Sequence, residues 1–228
     1  MSEGAHQPSL VRTSAHAFLT AAFLTAQLDA VFVDYRPVAV KTGFLGVAEL
    51  VKAVAERLAH YRPAHIVIDP VLVNHRGQPM FGPEVTDAYR RDLLPLADLV
   101  TPNLAEAALL LDRPLDGLDQ AEATARALLQ WGPTWVLLKG RGRAEAVTDL
   151  LTDDRQTMRL AASRLETKNT HGSGDTLSAA VCAYLARGAT MPAAVTLAHA
   201  FTQRAIKRAA GWRLGRGHGP VAPGRLSV

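Results

Sequence analysis

The residues best suited to do chemistry lie in one run, Thr167-Lys168-Asn169-Thr170-His171-Gly172-Ser173-Gly174-Asp175. A polar loop with two glycines leads straight into an apolar helical pattern. Leu177, Ala180, Val181, Tyr184 and Leu185 recur at helical spacing, and Gly188 marks the stop. Gly172 and Gly174 let the backbone turn sharply and approach a ligand closely. The first amides of a helix lack intrahelical partners and sit at the positive end of its dipole, so this corner attracts phosphate. Asp175 lies in the same first turn. There a carboxylate can take a proton from a hydroxyl while the amides hold a phosphoryl group in transfer. The same spacing suits an ordinary capped helix whose acidic residue favours the dipole, so the rest of the chain has to decide.

The elements that would position this corner alternate. A helix is expected over about Ala15–Val33, a short strand over Pro37–Val40 leading into Lys41-Thr42-Gly43-Phe44-Leu45-Gly46, and a helix over Val47–His60. His65–Pro70 reads as a strand with Asp69 near its end, Pro83–Leu94 as a helix, and Leu99–Asn103 as a strand. Helices follow at Leu104–Leu111 and Gln120–Trp131, then a strand at Trp135–Gly140. A hairpin around Asp153-Asp154 joins Ala146–Leu151 to Thr157–Ala161, and a last helix covers about Pro192–Ala210. Apolar strands separated by helices predict an α/β fold, a mostly parallel sheet covered on both faces. Ligands of such sheets sit beyond the carboxyl ends of the strands. That rule gathers Lys41, Thr42, Asp69, Asn103, Glu106, Lys139 and Asp175 at one rim, a set that suits a magnesium nucleotide and a transferred phosphate. Asn103 also has the spacing to cap the next helix with Glu106 as its capping-box partner. Gly215–Pro220 reads equally well as a flexible tail.

Composition narrows the classes. At 228 residues and 48% hydrophobic, the chain can bury one sizeable core. Residues 1–14 read as a flexible arm and 15–228 as a single domain. The net charge of +4 comes from scattered arginines, and only 6% of residues are aromatic, which argues against nucleic acid as a partner. Cys182 is the only cysteine and reads as core, so no intrachain disulfide or cysteine metal cluster is expected. No secretory signal or long uncharged apolar run occurs, which points to the cytoplasm and to no membrane partner. A Walker loop and a Gly-x-Ser-x-Gly elbow are both absent.

Six motifs occur in order: Lys41–Gly46, Ile68–Val71, Leu94–Glu106, Val136–Gly140, Thr167–Gly174 and Gly217–Pro220. Together they resemble the hydroxymethylpyrimidine/phosphomethylpyrimidine kinase family of the ribokinase-like superfamily, over about Phe23 to Val221. The resemblance implies a three-layer α/β/α sandwich and an ATP- and magnesium-dependent kinase of thiamine biosynthesis. Its substrate would be a pyrimidine alcohol, 4-amino-5-hydroxymethyl-2-methylpyrimidine, and then the monophosphate. It implies that Gly172, Ser173 and Gly174 form an anion hole around Asp175. Asp69, Asn103 and Glu106 would organise magnesium and phosphates through water, with Asp69 and Glu106 as the metal carboxylates. Lys139 would lie on the nucleotide side, Phe44 and Val71 in the pyrimidine pocket. A homodimer is expected.

The chain departs from the family twice. The family carries cysteine where this chain has Asp175, and aspartate there is the superfamily's general choice, found in pyridoxal kinases. A pyridoxal kinase is therefore an alternative. The family's opening strand and Gly-Ser-Asp-x-Ser-Gly-Gly-Ala-Gly loop have no counterpart in Met1–Ala22. The expected fold is accordingly N-terminally shortened, with an apolar sheet edge left open. Either the fold is rearranged, or a partner chain covers the edge, or binding is impaired; a catalytically impaired remnant that binds nucleotide or a partner is therefore a further alternative.

Overall fold

The computed structural model describes residues 19–115, 120–140 and 146–224. The expected arm lies outside these residues. Helix α1 spans Ala21–Tyr35; its N-cap Thr20 accepts the Phe23 amide at 3.2 Å, so it begins later than the apolar pattern suggested. Strand β1 is Ala39–Thr42, two residues beyond the expected start, because Pro37 has no N–H to give and pairing opens where Val38 O accepts from His65. Then follow α2 (Ala48–Tyr61), β2 (His65–Ile68), α3 (Pro83–Ala88), β3 (Leu99–Val100), α4 (Leu104–Leu111), α5 (Ala121–Leu129) and β4 (Trp135–Leu138). The antiparallel hairpin β5 (Ala146–Thr152) and β6 (Thr157–Ser163) precedes α6 (Ser173–Ala186) and α7 (Met191–Ala209). The helix expected to run unbroken to Leu94 passes through a π turn at Tyr89–Leu93 and a 3-10 turn at Leu94–Leu96, where Pro95 cannot continue an α-helix.

The six strands stand in sequence order, β1 to β4 parallel and β5 and β6 antiparallel to their neighbours. Each strand sends alternate residues to opposite faces. Ile66, Ile68, Val100, Val136 and Leu138 join a core with α2, α4 and α5, while Val67, Leu99 and Leu137 join a second core with α6 and α7. The result is the expected three-layer sandwich. Cys182 is half-buried against the second core, where burial holds its thiol above the ordinary value. Among the described residues no helix is long and apolar enough to cross a membrane.

Among the described residues β1 is the end strand on its side of the sheet. Next to it, α1 is apolar almost all round, yet only Phe32 is buried; Phe23, Val31, Val33 and Tyr35 stay exposed. Phe32 stacks on Tyr61 at 4.5 Å, and Asp29 accepts the Tyr61 hydroxyl at 2.9 Å, which ties α1 to α2.

Candidate active site

The four parallel strands end together. Asp69 follows β2, Thr101 to Asn103 follow β3, and Lys139 follows β4; an isolated parallel bridge joins Asn103 to Lys139. Asp69 is 2% exposed and heavily bonded. Its Oδ1 accepts from Lys139 Nζ and from Thr101 Oγ1, each at 3.0 Å, and its Oδ2 accepts from Ser178 Oγ at 3.1 Å. Ser178 sits one turn into α6 and also accepts from Lys41 Nζ at 3.2 Å. Lys41 Nζ donates in turn to Asp175 Oδ1 at 3.0 Å. The chain Lys139–Asp69–Ser178–Lys41–Asp175 therefore links β4, β2, α6 and β1 across the rim.

The glycine loop turns into α6 where the sequence suggested. Gly172 caps α6 with φ 80°, a left-handed conformation that a side chain disfavours. Ser173, Gly174 and Asp175 open the helix, and the Asp175 carboxylate is largely exposed. A Cβ built on Gly174 would stand 3.2 Å from Lys139 Nζ, so the glycine keeps that ammonium open toward the corner.

Asn103 and Glu106 do form a capping box. Asn103 Oδ1 accepts the Ala105 and Glu106 amides at 2.9 and 3.0 Å, and Glu106 Oε2 accepts the Asn103 amide at 2.8 Å. Burial pushes the Glu106 carboxyl up to about 7, against the opposing pull of Lys139 and the Asn103 amide. Burial alone would lower the Lys139 ammonium, but the Asp69 and Glu106 charges outweigh it and hold it above its ordinary value. Tyr89 is raised by burial and then by Asp69 and Glu106, so it stays protonated and donates to Gly43 O at 3.2 Å. Phe44, half exposed, meets Phe81 edge-on at 5.3 Å, and the Val71 amide donates to Asp69 O at 3.0 Å.

Asp69 and Glu106 are carboxylates at this rim that magnesium could meet through water. Among the described residues no three His, Cys, Asp or Glu side chains converge on a metal position. Asp69 is already engaged by Lys139, Thr101 and Ser178. Magnesium keeps several waters and takes one or two carboxylates plus substrate phosphates. Asp69 and Glu106 supply two hard carboxylates of that kind.

The Gly215–Pro220 stretch is not a loose tail. His171 N donates to Gly219 O at 3.1 Å, and Val221 N donates to His171 O at 3.0 Å. Asn169 Nδ2 donates to Ala209 O and Trp212 O at 2.6 and 2.8 Å, fixing the loop before the corner against the end of α7. A hollow of about 620 Å³ adjoins it, lined by Leu165, Thr167, Lys168, Asn169, Ala210 and Trp212. His218 Nδ1 lies 3.2 Å from Lys168 O, and its ring faces His75 at 5.4 Å, so this loop histidine has neighbours.

The family model for phosphomethylpyrimidine kinase matches residues 11–222. The chain belongs to the phosphomethylpyrimidine kinase family. It is 42% identical over 206 residues to the hydroxymethylpyrimidine/phosphomethylpyrimidine kinase of Rhizobium meliloti, covering 89% of this chain and 77% of that one. It is 40% identical over 201 residues to the Escherichia coli enzyme of the same name, covering 87% and 76%. The Staphylococcus aureus pyridoxal kinase, solved with AMP-PCP and pyridoxal, superposes with TM-score 0.82 at 32% identity over 90% of this chain and 74% of that one. The phosphomethylpyrimidine kinase of Clostridium difficile superposes with TM-score 0.73 at 30% identity, covering 82% and 77%. As a kinase of the phosphomethylpyrimidine kinase family, this chain is a phosphotransferase.

Three polar contributors to this family member's rim had no role assigned in the sequence. Thr101 and Ser178 are fully buried, and Lys41 was noted only as a rim lysine. Ser178 carries the one usable signal: it is a hydroxyl three residues after Asp175 on an otherwise apolar helix face.

Proposed function

We propose that this chain transfers the γ-phosphoryl group of ATP to hydroxymethylpyrimidine and/or its monophosphate in thiamine biosynthesis, by in-line displacement with Asp175 as general base. The observation that carries the reading is the bonded chain from Lys139 through Asp69, Ser178 and Lys41 to Asp175, at the N-terminus of α6. The family membership supports the substrate class.

The residues divide the work. Asp175 takes the acceptor hydroxyl's proton. The anion hole at Gly172, Ser173 and Gly174 meets the phosphoryl oxygens as charge builds on them, with the Ser173 amide, which donates to Thr170 O at 3.1 Å, shared between the two. Lys139 offers its ammonium from the nucleotide side, and the hollow beside Asn169 and Trp212 accommodates the rest of the nucleotide. Phe44 and Val71 border the acceptor pyrimidine. Asp69, Asn103 and Glu106 organise the phosphates, and Asp69 and Glu106 would hold magnesium through water. When bound, magnesium supplies charge neutralisation for the β- and γ-phosphates.

ATP consumption by the purified chain with magnesium, offered hydroxymethylpyrimidine, its monophosphate and pyridoxal in parallel, tests this. Turnover is expected on a pyrimidine, and Asp175→Ala should lower it on the alcohol about 100- to 10,000-fold. Unchanged turnover in that variant overturns Asp175 as the base. Turnover on pyridoxal alone establishes the second reading, which Asp175 and the likeness to pyridoxal kinase structures favour. Nucleotide binding without turnover on any acceptor would mark a catalytically impaired chain.

A cytoplasmic location goes with this reading. So does a homodimer, with the exposed Phe23, Val31 and Val33 of α1 as its apolar contact. Light scattering of the purified chain is expected to give twice the 24.4 kDa chain mass, and a monomer contradicts it.

A further inference from the structure

Lys41 is the member of the bonded chain that bonds the carboxylate of the proposed base, while Ser178 reaches only its backbone oxygen, and the family reading gives Lys41 no task. It lies at the end of β1 with its side chain 23% exposed, between Asp175 Oδ1 at 3.0 Å and Ser178 Oγ at 3.2 Å. A Cβ on Gly43 would stand 3.3 Å from Lys41 Nζ and 3.5 Å from Asp175 Oδ1. The glycine therefore leaves one side of the ion pair clear, as Gly174 does for Lys139. Two ammonium groups thus flank the opening of α6, Lys139 bound to a buried carboxylate and Lys41 to an exposed one.

The charges during transfer give Lys41 its task. The acceptor hydroxyl gives its proton to Asp175, its oxygen bonds to the γ-phosphorus, and the bond from that phosphorus to the β-phosphate oxygen breaks. ADP leaves with the electron pair. Asp175 goes from ionised to neutral in this step while Lys41 keeps its charge. Its ammonium loses its partner just as a phosphate monoester, anionic and rich in acceptors, forms beside it.

Resting on Asp175 as the base, we propose that Lys41 is a catalytic residue that exchanges partners, holding the Asp175 carboxylate before transfer and the acceptor's phosphate after it. The same ammonium receives the phosphate of the monophosphate when that molecule enters as the second acceptor. A monoester's second ionisation lies near pH 6, so at neutral pH this acceptor is already largely ionised and needs little from a base. The two residues therefore matter differently to the two acceptors. Asp175 serves the alcohol, and Lys41 serves the phosphate above all.

Lys41→Met and Asp175→Asn, each assayed on hydroxymethylpyrimidine and on its monophosphate, test the assignment. Asp175→Asn is expected to lower kcat on the alcohol about 100-fold or more, and much less on the monophosphate. Lys41→Met is expected to raise KM for the monophosphate about tenfold or more, in line with a lost charge-assisted contact, with KM for the alcohol nearly unchanged. Calorimetry of the monophosphate on the same proteins should show the same tenfold weakening. Lys41→Cys followed by aminoethylation rebuilds a cation at this position and should restore monophosphate binding, with the unmodified chain treated in parallel because of Cys182. Equal losses on both acceptors, or unchanged monophosphate binding in Lys41→Met, overturn the proposal. Should the unmodified chain turn over neither acceptor, the functional reading fails by itself, and the calorimetric arm still decides Lys41.

Discussion

Two lysine–carboxylate pairs meet at this rim with the same chemistry and the same 3.0 Å separation, but in different surroundings. In the Lys139–Asp69 pair the side chains are 18% and 2% exposed, and Thr101 and Ser178 add further bonds to the carboxylate. In the Lys41–Asp175 pair the carboxylate is 64% exposed. Burial makes a broken pair expensive, because the remaining charge has no water to turn to. Exposure makes the second pair cheap to open. The first pair can therefore hold the strand ends together, while the second has the freedom that the proposed exchange of partners requires. The same interaction type thus stands at two depths of one rim, with different costs of opening.

The comparison breaks most visibly at Lys139. Lys139→Met leaves Asp69 buried without its cation and should destabilise the fold by about 3–5 kcal/mol in urea unfolding. A loss under about 1 kcal/mol would mean that Thr101 and Ser178 satisfy Asp69 by themselves.

Glu106 probes the same buried side through pH. Its carboxyl is raised from 4.5 to about 7, so its protonated form contributes stability that is fully present below about 4.5 and lost as pH rises through about 7. In metal-free buffer the total change should be about 3 kcal/mol. Glu106→Gln removes this titration, so the variant should gain on the unmodified chain as pH climbs from 4.5 to 8. Parallel stability–pH curves would show that folding leaves the Glu106 carboxyl at its ordinary value.

The smallest effect sharpens the contrast. Lys41→Met should shift unfolding by no more than about 1 kcal/mol, while impairing the monophosphate reaction. A loss as large as that of Lys139→Met would put both pairs in the same structural class.

Local chemistry was readable in the sequence and long-range bonding was not. Helix α4 was placed to the residue, because Asn103 and Glu106 state its start in the side chains that cap it. The hairpin around Asp153 and the alternation behind the sandwich followed from period and turn residues. Gly172 and Asp175 declared the corner in the same way. Lys41 and Asp175, by contrast, are 134 positions apart, and Ser178 and Asp69 are 109 apart. No local pattern records such a pairing; only the sheet order that brings β1, β2 and α6 together creates it. The glycine-rich stretch near Gly219 misled for a related reason. Its backbone bonds with His171 are invisible to composition, which suggested a tail.

That last contact fixes an order of assembly. The loop before the anion corner is held by Gly219 and Val221 on one side and by Ala209 and Trp212 on the other. During synthesis the corner residues are made before the segments that clamp them, which follow about forty to fifty positions later. A chain still growing on the ribosome can build its sheet and both cores' strands, yet the loop before α6 stays unclamped until Val221 has been made and has folded back. The shape of this corner thus waits on Val221 being made and folded back, rather than growing with the length of the chain.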